Sequence, residues 1–277
     1  MTLEPALFAV FAVVLLYRLG ERRQSATRLR QRRLRDACFY LGCLVLILAI
    51  DSPLDQLAAT LFSAHMAQHV LLLSVAPPLI VLSAPWTQIW RPLPLGFRRT
   101  VAKAVVRSPR ALAVRQTARF VAHPLVAWLL FNVNLIAWHL PVLYDATLRH
   151  QALHDFEHAS FFFTALLFWS QVIDSAPFRA RLEWIERVAY LTTAMLVSWA
   201  LAVVLAFAPE PLYPAYAALT HRPGGLSALN DQRIAAGVMW VPGSLAFTAA
   251  ILIFFYRWLD PQPERRLAVA TARGGPR

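Results

Sequence analysis

Two pairs of histidines, each with a spacing of four residues, are the part of this sequence best suited to chemistry. His65 and His69 lie in one long apolar stretch, and His154 and His158 lie in another. In a helix, residues four apart share one face and are separated by about 6 Å along the axis. An imidazole in an apolar helix is costly to desolvate without a partner and is a marker of function in a membrane span. The two pairs therefore predict a metal site.

Further residues extend this predicted site. Met239 offers a thioether, and His139 offers another imidazole at the end of an apolar segment. Imidazole binds copper in either oxidation state and thioether favours Cu(I), so the set points to copper. Met66 is predicted to pack instead, because it points about 100° away from His65 on the helix. The predicted metal ligands are His65, His69, His139, His154, His158 and Met239.

Three carboxylates are predicted to support the ligands. Glu157 flanks the second pair and is suited to accept a hydrogen bond that orients an imidazole. Asp231 and Asp55 lie at the predicted outer ends of apolar segments, where a carboxylate also attracts cations. Structural alternatives stay open: Glu157 as a solvated residue near a helix start, Asp231 as a helix N-cap and Asp55 as a turn residue. His139, which follows Trp138, also suits anchoring at a membrane interface.

The composition predicts the elements that must position these residues. The chain has 277 residues, 58% of them hydrophobic, and a mean hydropathy of +0.50, with the apolar residues in long blocks. This pattern is typical of an all-α, multi-pass membrane protein. Residues 1–259 are predicted to form a single transmembrane bundle, and residues 260–277 a disordered cytoplasmic tail. The seven predicted transmembrane helices cover about 5–19, 36–50, 56–83, 122–140, 151–173, 185–208 and 233–258.

The basic residues orient these spans. Of the 27 Lys and Arg residues, 24 lie in the four segments 18–35, 91–119, 179–187 and 257–277, which all fall on one side of a seven-span chain. The positive-inside rule makes this side cytoplasmic, so the N-terminus lies outside and the C-terminus inside. The net charge of +12 then indicates anionic lipid as the partner and not nucleic acid. Residues 98–119 predict an amphipathic helix on the cytoplasmic surface between spans three and four.

With this orientation, spans three and five both run inward from the outer side. The helical rise places His65 about 13 Å and His158 about 12 Å below their outer ends. The two pairs are therefore expected to meet in the outer half of the membrane.

Several short motifs carry a resemblance to a known family. Over roughly residues 52–258, the chain resembles the CtaG-type cytochrome c oxidase assembly proteins in their polytopic membrane form. The resemblance implies a multi-pass protein of the bacterial inner membrane that helps to build the haem–copper oxidase and delivers copper to its catalytic subunit. A periplasmic copper donor is a further candidate partner. The motifs are Ser52-Pro53-Leu54-Asp55, His65-Met66-Ala67-Gln68-His69, Ala76-Pro77-Pro78, Trp138-His139-Leu140-Pro141, Leu153-His154-Asp155-Phe156-Glu157-His158 and Asp231-Gln232-Arg233 through Met239-Trp240.

Two other functions are alternatives to copper handling. Two histidines on each of two spans also suit a haem-binding membrane redox protein, although ligands about 6 Å apart along one helix are too close for two haems. A chain of histidines also suits proton relay in a metal- or proton-coupled transporter, but the inner half of span three is almost wholly apolar. Neither a Ser–His–Asp order nor a glycine-rich phosphate loop stands out, so the protein is predicted not to be an enzyme.

Overall fold

The computed structural model describes residues 5–24 and 26–260, and within them the regular structure is helical, as predicted. Residues 261–277, which are all but the first residue of the predicted tail, lie outside the described part of the chain. The helices are α1 (Pro5–Glu21), α2 (Ala26–Ile50), α3 (Pro53–Ala58), α4 (Phe62–Val70), a π-helix (Leu71–Val75), α5 (Ala76–Ser83), α6 (Trp86–Trp90), α7 (Leu95–Ala102), a second π-helix (Lys103–Arg107), a 3₁₀ turn (Pro109–Ala111), α8 (Leu112–Val121), α9 (Pro124–Trp138), α10 (Pro141–Arg149), α11 (Gln151–Trp169), α12 (Trp184–Phe207), α13 (Pro214–Ala217), a second 3₁₀ turn (Pro223–Gly225) and α14 (Ala228–Leu259).

Four of the described helical segments are long and apolar enough to cross a membrane. A fifth candidate span is a bent pair of helical segments, Pro109–Val121 and Pro124–Trp138. The two segments meet at an angle of 73° and count as one span only when taken together. The exterior is also apolar, as Phe207 and Leu252 are 77% and 62% exposed. This surface suits lipid and not water. The four segments are Arg32–Ala58, Phe62–Ser83, Trp184–Phe207 and Ala228–Leu259.

Three predicted helix starts differ by at least five residues from those in the structure. Helix α4 begins at Phe62, six residues after the predicted start at residue 56, because the separate helix α3 ends at Ala58. Helix α2 begins at Ala26, ten residues before the predicted start, because Arg, Leu and Gln are good helix formers and the segment continues in helical geometry through its basic residues. Helix α14 begins at Ala228, five residues early. The Ser227 hydroxyl caps it by accepting a hydrogen bond from the backbone N–H of Asn230 (3.2 Å). Asp231 therefore lies inside the first turn of α14 and does not cap it.

The helix that carries His65 and His69 breaks where prolines were expected to break it. The π-helix Leu71–Val75 precedes Pro77 and Pro78, which have no backbone N–H to donate. The carbonyl of Leu73 thus loses its partners four and five residues along the chain. It accepts a hydrogen bond from the indole Nε1 of Trp169 instead (2.9 Å). The break therefore joins this helix to α11, which carries the second histidine pair.

The predicted continuous surface helix over residues 98–119 is wrong in one respect. The chain leaves helical geometry at Ser108, whose φ and ψ are −70° and 129°. The cause is Pro109, because a proline ring disfavours helical geometry in the residue before it. Two shorter helices, α7 and α8, flank this break, and α8 buries none of its residues.

Hydrogen bonds gather the basic segments of the chain at one end of the bundle. There, residues of the segments 18–35, 83–91 and 172–187 contact one another, and Arg257 lies 6.0 Å from the ring centre of Trp184. The contacts are Arg23 to the carbonyl of Arg91 (3.4 Å), Arg32 to the carbonyl of Ser83 (3.0 Å), Trp86 Nε1 to Ser175 Oγ (2.9 Å) and Arg187 to Asp174 (3.1 Å).

The helices approach one another closely on the N-terminal side. A side chain at Gly20 would collide with the backbone of Gln88, where α1 crosses α6. One at Gly42 would collide with Ile80, where α2 packs on α5. The absence of a Cβ therefore lets these helices meet. Helix α5 contacts α11, and α4 contacts α14, so the two histidine-bearing helices lie among the packed helices.

Candidate metal centre

The structure brings the two histidine pairs together. His65, His154, Glu157 and His158 each offer one ligand atom, and these four atoms all lie within 4.8 Å of one another. We call this group the outer cluster, after the outer side of the membrane on which the sequence predicts it. Nitrogen and oxygen ligands bind metals such as zinc at about 2.0–2.2 Å, so ligands on opposite sides of one ion lie roughly 4 Å apart. The outer cluster is therefore close to the spacing that one ion requires.

Several atoms of the outer cluster lack a hydrogen-bond partner within the described part of the chain. They are His65 Nε2, His158 Nε2 and both carboxylate oxygens of Glu157. Glu157 is completely buried, and its oxygens lie 3.8 Å from His65 Nε2 and 3.5 Å from His69 Nε2. Burying a carboxylate without donors costs several kcal/mol or more. A cation bound between the carboxylate and the imidazoles would remove that cost.

A tyrosine that the sequence analysis missed orients the His65 ring. The Tyr216 hydroxyl donates to the carbonyl of Ala58 (2.5 Å), and burial raises the pKa of Tyr216, so the hydroxyl stays protonated. Its oxygen lies 3.3 Å from His65 Nδ1 and must accept there, which assigns the imidazole proton to Nδ1. The lone pair of His65 Nε2 then faces Glu157. Tyr216 belongs to α13, which no motif had connected with the histidines.

His139 lies next to the outer cluster but outside it. Residue 139 ends α9, and its Nδ1 lies 2.8 Å from the carbonyl of Leu135, so that nitrogen carries the proton. Its Nε2 lies 3.3 Å from the sulfur of Met66, which is fully buried. Trp138 holds the end of α9 against α11 through a hydrogen bond from its indole to Ser160 Oγ (2.8 Å).

His69 lies between the outer cluster and His139. Its ring centre is 5.6 Å from that of His158 and 5.9 Å from that of His139. Neither of its nitrogens has a hydrogen-bond partner among the described residues. His69, His139 and Met239 line one cavity of about 30 Å³. Met239 thus faces this cavity, and the outer cluster does not include it.

Asp231 supports the site from a neighbouring helix. Its carboxylate accepts hydrogen bonds from the backbone N–H groups of Phe62 (2.7 Å) and Ser63 (3.2 Å) and from the hydroxyl of Ser63 (2.5 Å). These groups form the first turn of α4, which needs acceptors for its N–H groups. Asp231 therefore caps the helix that carries His65 and His69. The sequence suggested a capping role, but for α14 and not for α4.

Asp55 also acts on α4, through Gln68. The Gln68 amide donates to Asp55 (3.0 Å) and to the carbonyl of Ala49 (2.7 Å). Pro53 leaves this carbonyl without the N–H that would bind it in a helix. Asp55 is also close enough to His154 to interact with it electrostatically. Gln68 lies inside the sequence motif of the first histidine pair. Its role in joining α4 to α2 and α3 was not apparent from residue spacing.

Together, the fold and the site define a helical membrane protein with a buried group of imidazoles and one carboxylate. A family profile described as cytochrome c oxidase caa3 assembly factor (Caa3_CtaG) matches residues 13–260. The chain belongs to this family, which confirms the resemblance inferred from its motifs.

Similar proteins are found in mycobacteria. Uncharacterized proteins of Mycobacterium bovis and Mycobacterium tuberculosis are each 26% identical to this chain over 227 residues, which is 82% of the chain and 34% of those proteins. An uncharacterized protein of Mycobacterium leprae is 23% identical over 243 residues, or 86% of the chain and 36% of that protein. The chain thus spans about a third of the length of these curated relatives. No solved structure matches the chain.

Proposed function

We propose that this protein is a membrane assembly factor for haem–copper cytochrome c oxidase. In this proposal it binds copper through intramembrane histidines near the outer side and delivers the ion to the oxidase. The family supports the assembly role. The outer cluster supports metal binding, because one ligand atom from each of three imidazoles and a carboxylate lies within 4.8 Å of the others, and some of these buried atoms have no hydrogen-bond partner among the described residues. Copper is cargo here, and no covalent chemistry is assigned to the chain.

The ligand types favour an exchangeable site. Imidazole and carboxylate bind divalent copper, whereas the two cysteines of this chain, Cys38 and Cys43, are absent from the cluster. A site without thiolates releases copper more readily than one with them, as a donor requires. His154 is only partly buried, while the other three members of the cluster are buried, so His154 is where we expect copper to arrive.

The size of the site argues against haem as the ligand. The cavity lined by His69, His139 and Met239 measures about 30 Å³. Pockets for small organic molecules measure roughly 300–1,000 Å³.

Through-membrane transport is less well supported than delivery. Beyond the histidines lies an apolar core in which Phe161, Phe168, Trp169 and Leu73 are at most 7% exposed. An ion that continued inward would have to cross this packed region without polar partners. We therefore propose that copper leaves on the outer side or laterally, toward the catalytic subunit of the oxidase.

Several observations support the predicted topology. Hydrogen bonds join the basic segments at one end, whereas Asp231, Tyr216 and Asp55 act at the other. With α1, α9 and α11 counted as spans, the chain crosses seven times, and α7 and α8 lie on the cytoplasmic surface. We propose a multi-pass protein of the bacterial inner membrane whose N-terminus is outside. A periplasmic donor would then load the site from the outer side at the partly exposed His154, and not past His139 and Asp231, which are buried.

The experiment is copper analysis of the purified full chain in detergent after loading and desalting. The double variant His65→Ala with His158→Ala removes two ligands from two helices and should lose the copper that the outer cluster binds after loading with Cu(II). His150→Ala is the matched control, because it removes an exposed imidazole just before α11. It should retain copper at the wild-type ratio.

A cellular measurement tests delivery. In cells that lack the native protein, the control variant should restore copper-loaded oxidase, and the double variant should not. Copper bound equally by the wild type and the folded double variant would disprove the outer cluster as the site. Normal oxidase copper with the double variant would disprove delivery.

A further inference from the structure

The contact between His139 and Met66 is unusual because neither atom donates a hydrogen. His139 Nδ1 carries the imidazole proton and donates it to the carbonyl of Leu135. His139 Nε2 therefore presents a lone pair, and it faces the thioether sulfur of Met66 at 3.3 Å. Two lone-pair atoms in buried contact gain little from each other. The pair is held in place by packing, and a ligand that both atoms can bind would turn this contact into a favourable one.

The distance between these atoms suits one shared metal ion. Nitrogen and sulfur ligands that bind an ion at about 2.0 and 2.3 Å lie roughly 3.3 Å apart when the angle at the metal is near 100°. Such an angle is compatible with three- or four-coordination. The two residues come from different helices, α9 and α4, so their contact is not imposed by local helix geometry.

A third ligand lies within reach. His69 follows Met66 by three residues on α4, so it lies near the same helix face. Its ring centre is 5.9 Å from that of His139, and neither of its nitrogens has a partner among the described residues. His69 and His139 also line the cavity of about 30 Å³, which exceeds the roughly 10–15 Å³ needed for a single water.

We propose that His139, Met66 and His69 form a second metal site, selective for Cu(I) and distinct from the outer cluster. We call it the thioether site. A thioether is a soft ligand that favours Cu(I), whereas the carboxylate of Glu157 in the outer cluster favours divalent ions. The two sites are adjacent, because His69 Nε2 lies 3.5 Å from Glu157. The proposal rests on the proposed function only in that copper is the cargo.

The experiment measures metal binding to the purified full chain with Ag(I), Cu(I) and Zn(II) as separate probes. Ag(I) stands in for Cu(I) because it is monovalent and soft. Met66→Leu removes the sulfur with little change in volume. Met195→Leu is the matched control, since Met195 contacts the α12–α14 interface near Thr248 and not the histidines. Melting temperatures confirm that both variants fold.

The wild type should bind Ag(I) or Cu(I) with a sulfur ligand visible by X-ray absorption at the metal edge. Met66→Leu should lose that sulfur signal and weaken Ag(I) and Cu(I) binding on the order of 100-fold, with Zn(II) binding unchanged. Met195→Leu should behave as the wild type. His154→Ala should do the reverse of Met66→Leu, weakening Zn(II) and sparing Ag(I).

Three results would overturn the thioether site. One is the absence of sulfur around Ag(I) or Cu(I) in the wild type. Another is a sulfur signal that persists in folded Met66→Leu. The third is a signal that disappears in Met239→Leu and not in Met66→Leu, which would assign the sulfur to the other side of the cavity. The failure of copper delivery to the oxidase would leave these readouts unaffected, so the two proposals fail separately.

Discussion

Glu157 of the outer cluster and Arg187 at the opposite end of the bundle are both buried ionisable residues, but they differ in their hydrogen-bond partners. Arg187 is only 7% exposed, yet its guanidinium donates to Asp174 (3.1 Å), to the carbonyl of Val172 (3.0 Å) and to the carbonyl of Leu182 (2.9 Å). It also lies 4.3 Å from the ring centre of Trp184. Glu157 is fully buried and has no hydrogen-bond donor among the described residues.

The comparison distinguishes a buried polar group with a structural role, Arg187, from one suited to binding a cation, Glu157. Arg187 donates hydrogen bonds to three acceptors, so the residue holds the loop after α11 against α12. The Thr147 hydroxyl lies close enough to interact with the Glu157 carboxyl group, but its one proton is donated to the carbonyl of Tyr144 (2.7 Å). In its ionised form, the unpaired carboxylate makes the folded chain less stable unless a cation binds. Removing charge should therefore have opposite effects on stability at the two places.

Glu157→Gln should give the largest effect on binding. We expect copper affinity to fall about 100-fold, because the anionic ligand of the outer cluster is lost. The stability of the metal-free protein should stay the same or increase, since an unpaired buried charge is removed. Isothermal titration and thermal unfolding in detergent measure the two quantities. A clear loss of stability without metal would show that Glu157 has a structural partner and would break the comparison.

Arg187→Ala should show the opposite pattern. It leaves three acceptors without their donor and should lower the free energy of unfolding by about 2–3 kcal/mol. Copper affinity should not change, because Arg187 lies at the other end of the bundle. Arg187→Lys is the control that keeps the charge but loses part of the hydrogen bonding, and it should fall between the two. The measurement is denaturation in detergent with copper titration alongside.

Asp231→Ala tests whether the site depends on the cap of α4. We expect a loss of about 1–2 kcal/mol of stability, because the N–H groups of Phe62 and Ser63 lose their acceptor. Asp231→Asn keeps one acceptor oxygen and should lose less. Ser227→Ala, which removes the cap of α14 itself, is a useful comparison. An equal loss of copper affinity in Ser227→Ala and Asp231→Ala would argue against a specific link between Asp231 and the histidine helix.

Tyr216→Phe should have the smallest effect of the four. The variant removes the oxygen that binds His65 Nδ1 and the donor to the Ala58 carbonyl. Loss of such an orienting contact typically weakens metal binding about tenfold, and one lost hydrogen bond costs about 1 kcal/mol. Tyr213→Phe is a matched control, because its hydroxyl bonds the carbonyl of His139 instead (3.1 Å). Equal copper affinities for Tyr216→Phe and the wild type would remove the orienting role.

Much of the helical framework was predictable because its signals are local. Long apolar blocks gave the main helices, and Pro77 and Pro78 marked the break in the third one. The predicted surface helix was wrong at Ser108, since the effect of Pro109 on the preceding residue was not taken into account. The start of α2 was missed because the basic residues were taken as a loop, although arginine favours helices.

The candidate ligands were also predictable, but their grouping was not. Spacing placed His65 and His69 on one face, and likewise His154 and His158. It did not separate the outer cluster from His139, whose Nε2 contacts the sulfur of Met66 (3.3 Å). Met66 was predicted to pack, because the helix turns it away from His65. Met66 points toward the end of α9 instead. It becomes a candidate ligand only because α9 places His139 next to it.

The sequence by itself determined the apolar helices, the one-sided placement of basic residues and the faces on which the imidazoles lie. These properties follow from helical periodicity and composition, which act within a few turns of chain. The tertiary structure decided which ligand atoms have partners and which do not. Some of those partners lie far along the chain, such as Met66 for His139, 73 positions away, and Tyr216 for His65, 151 positions away. Lateral packing of helices sets such contacts, and no local pattern encodes it.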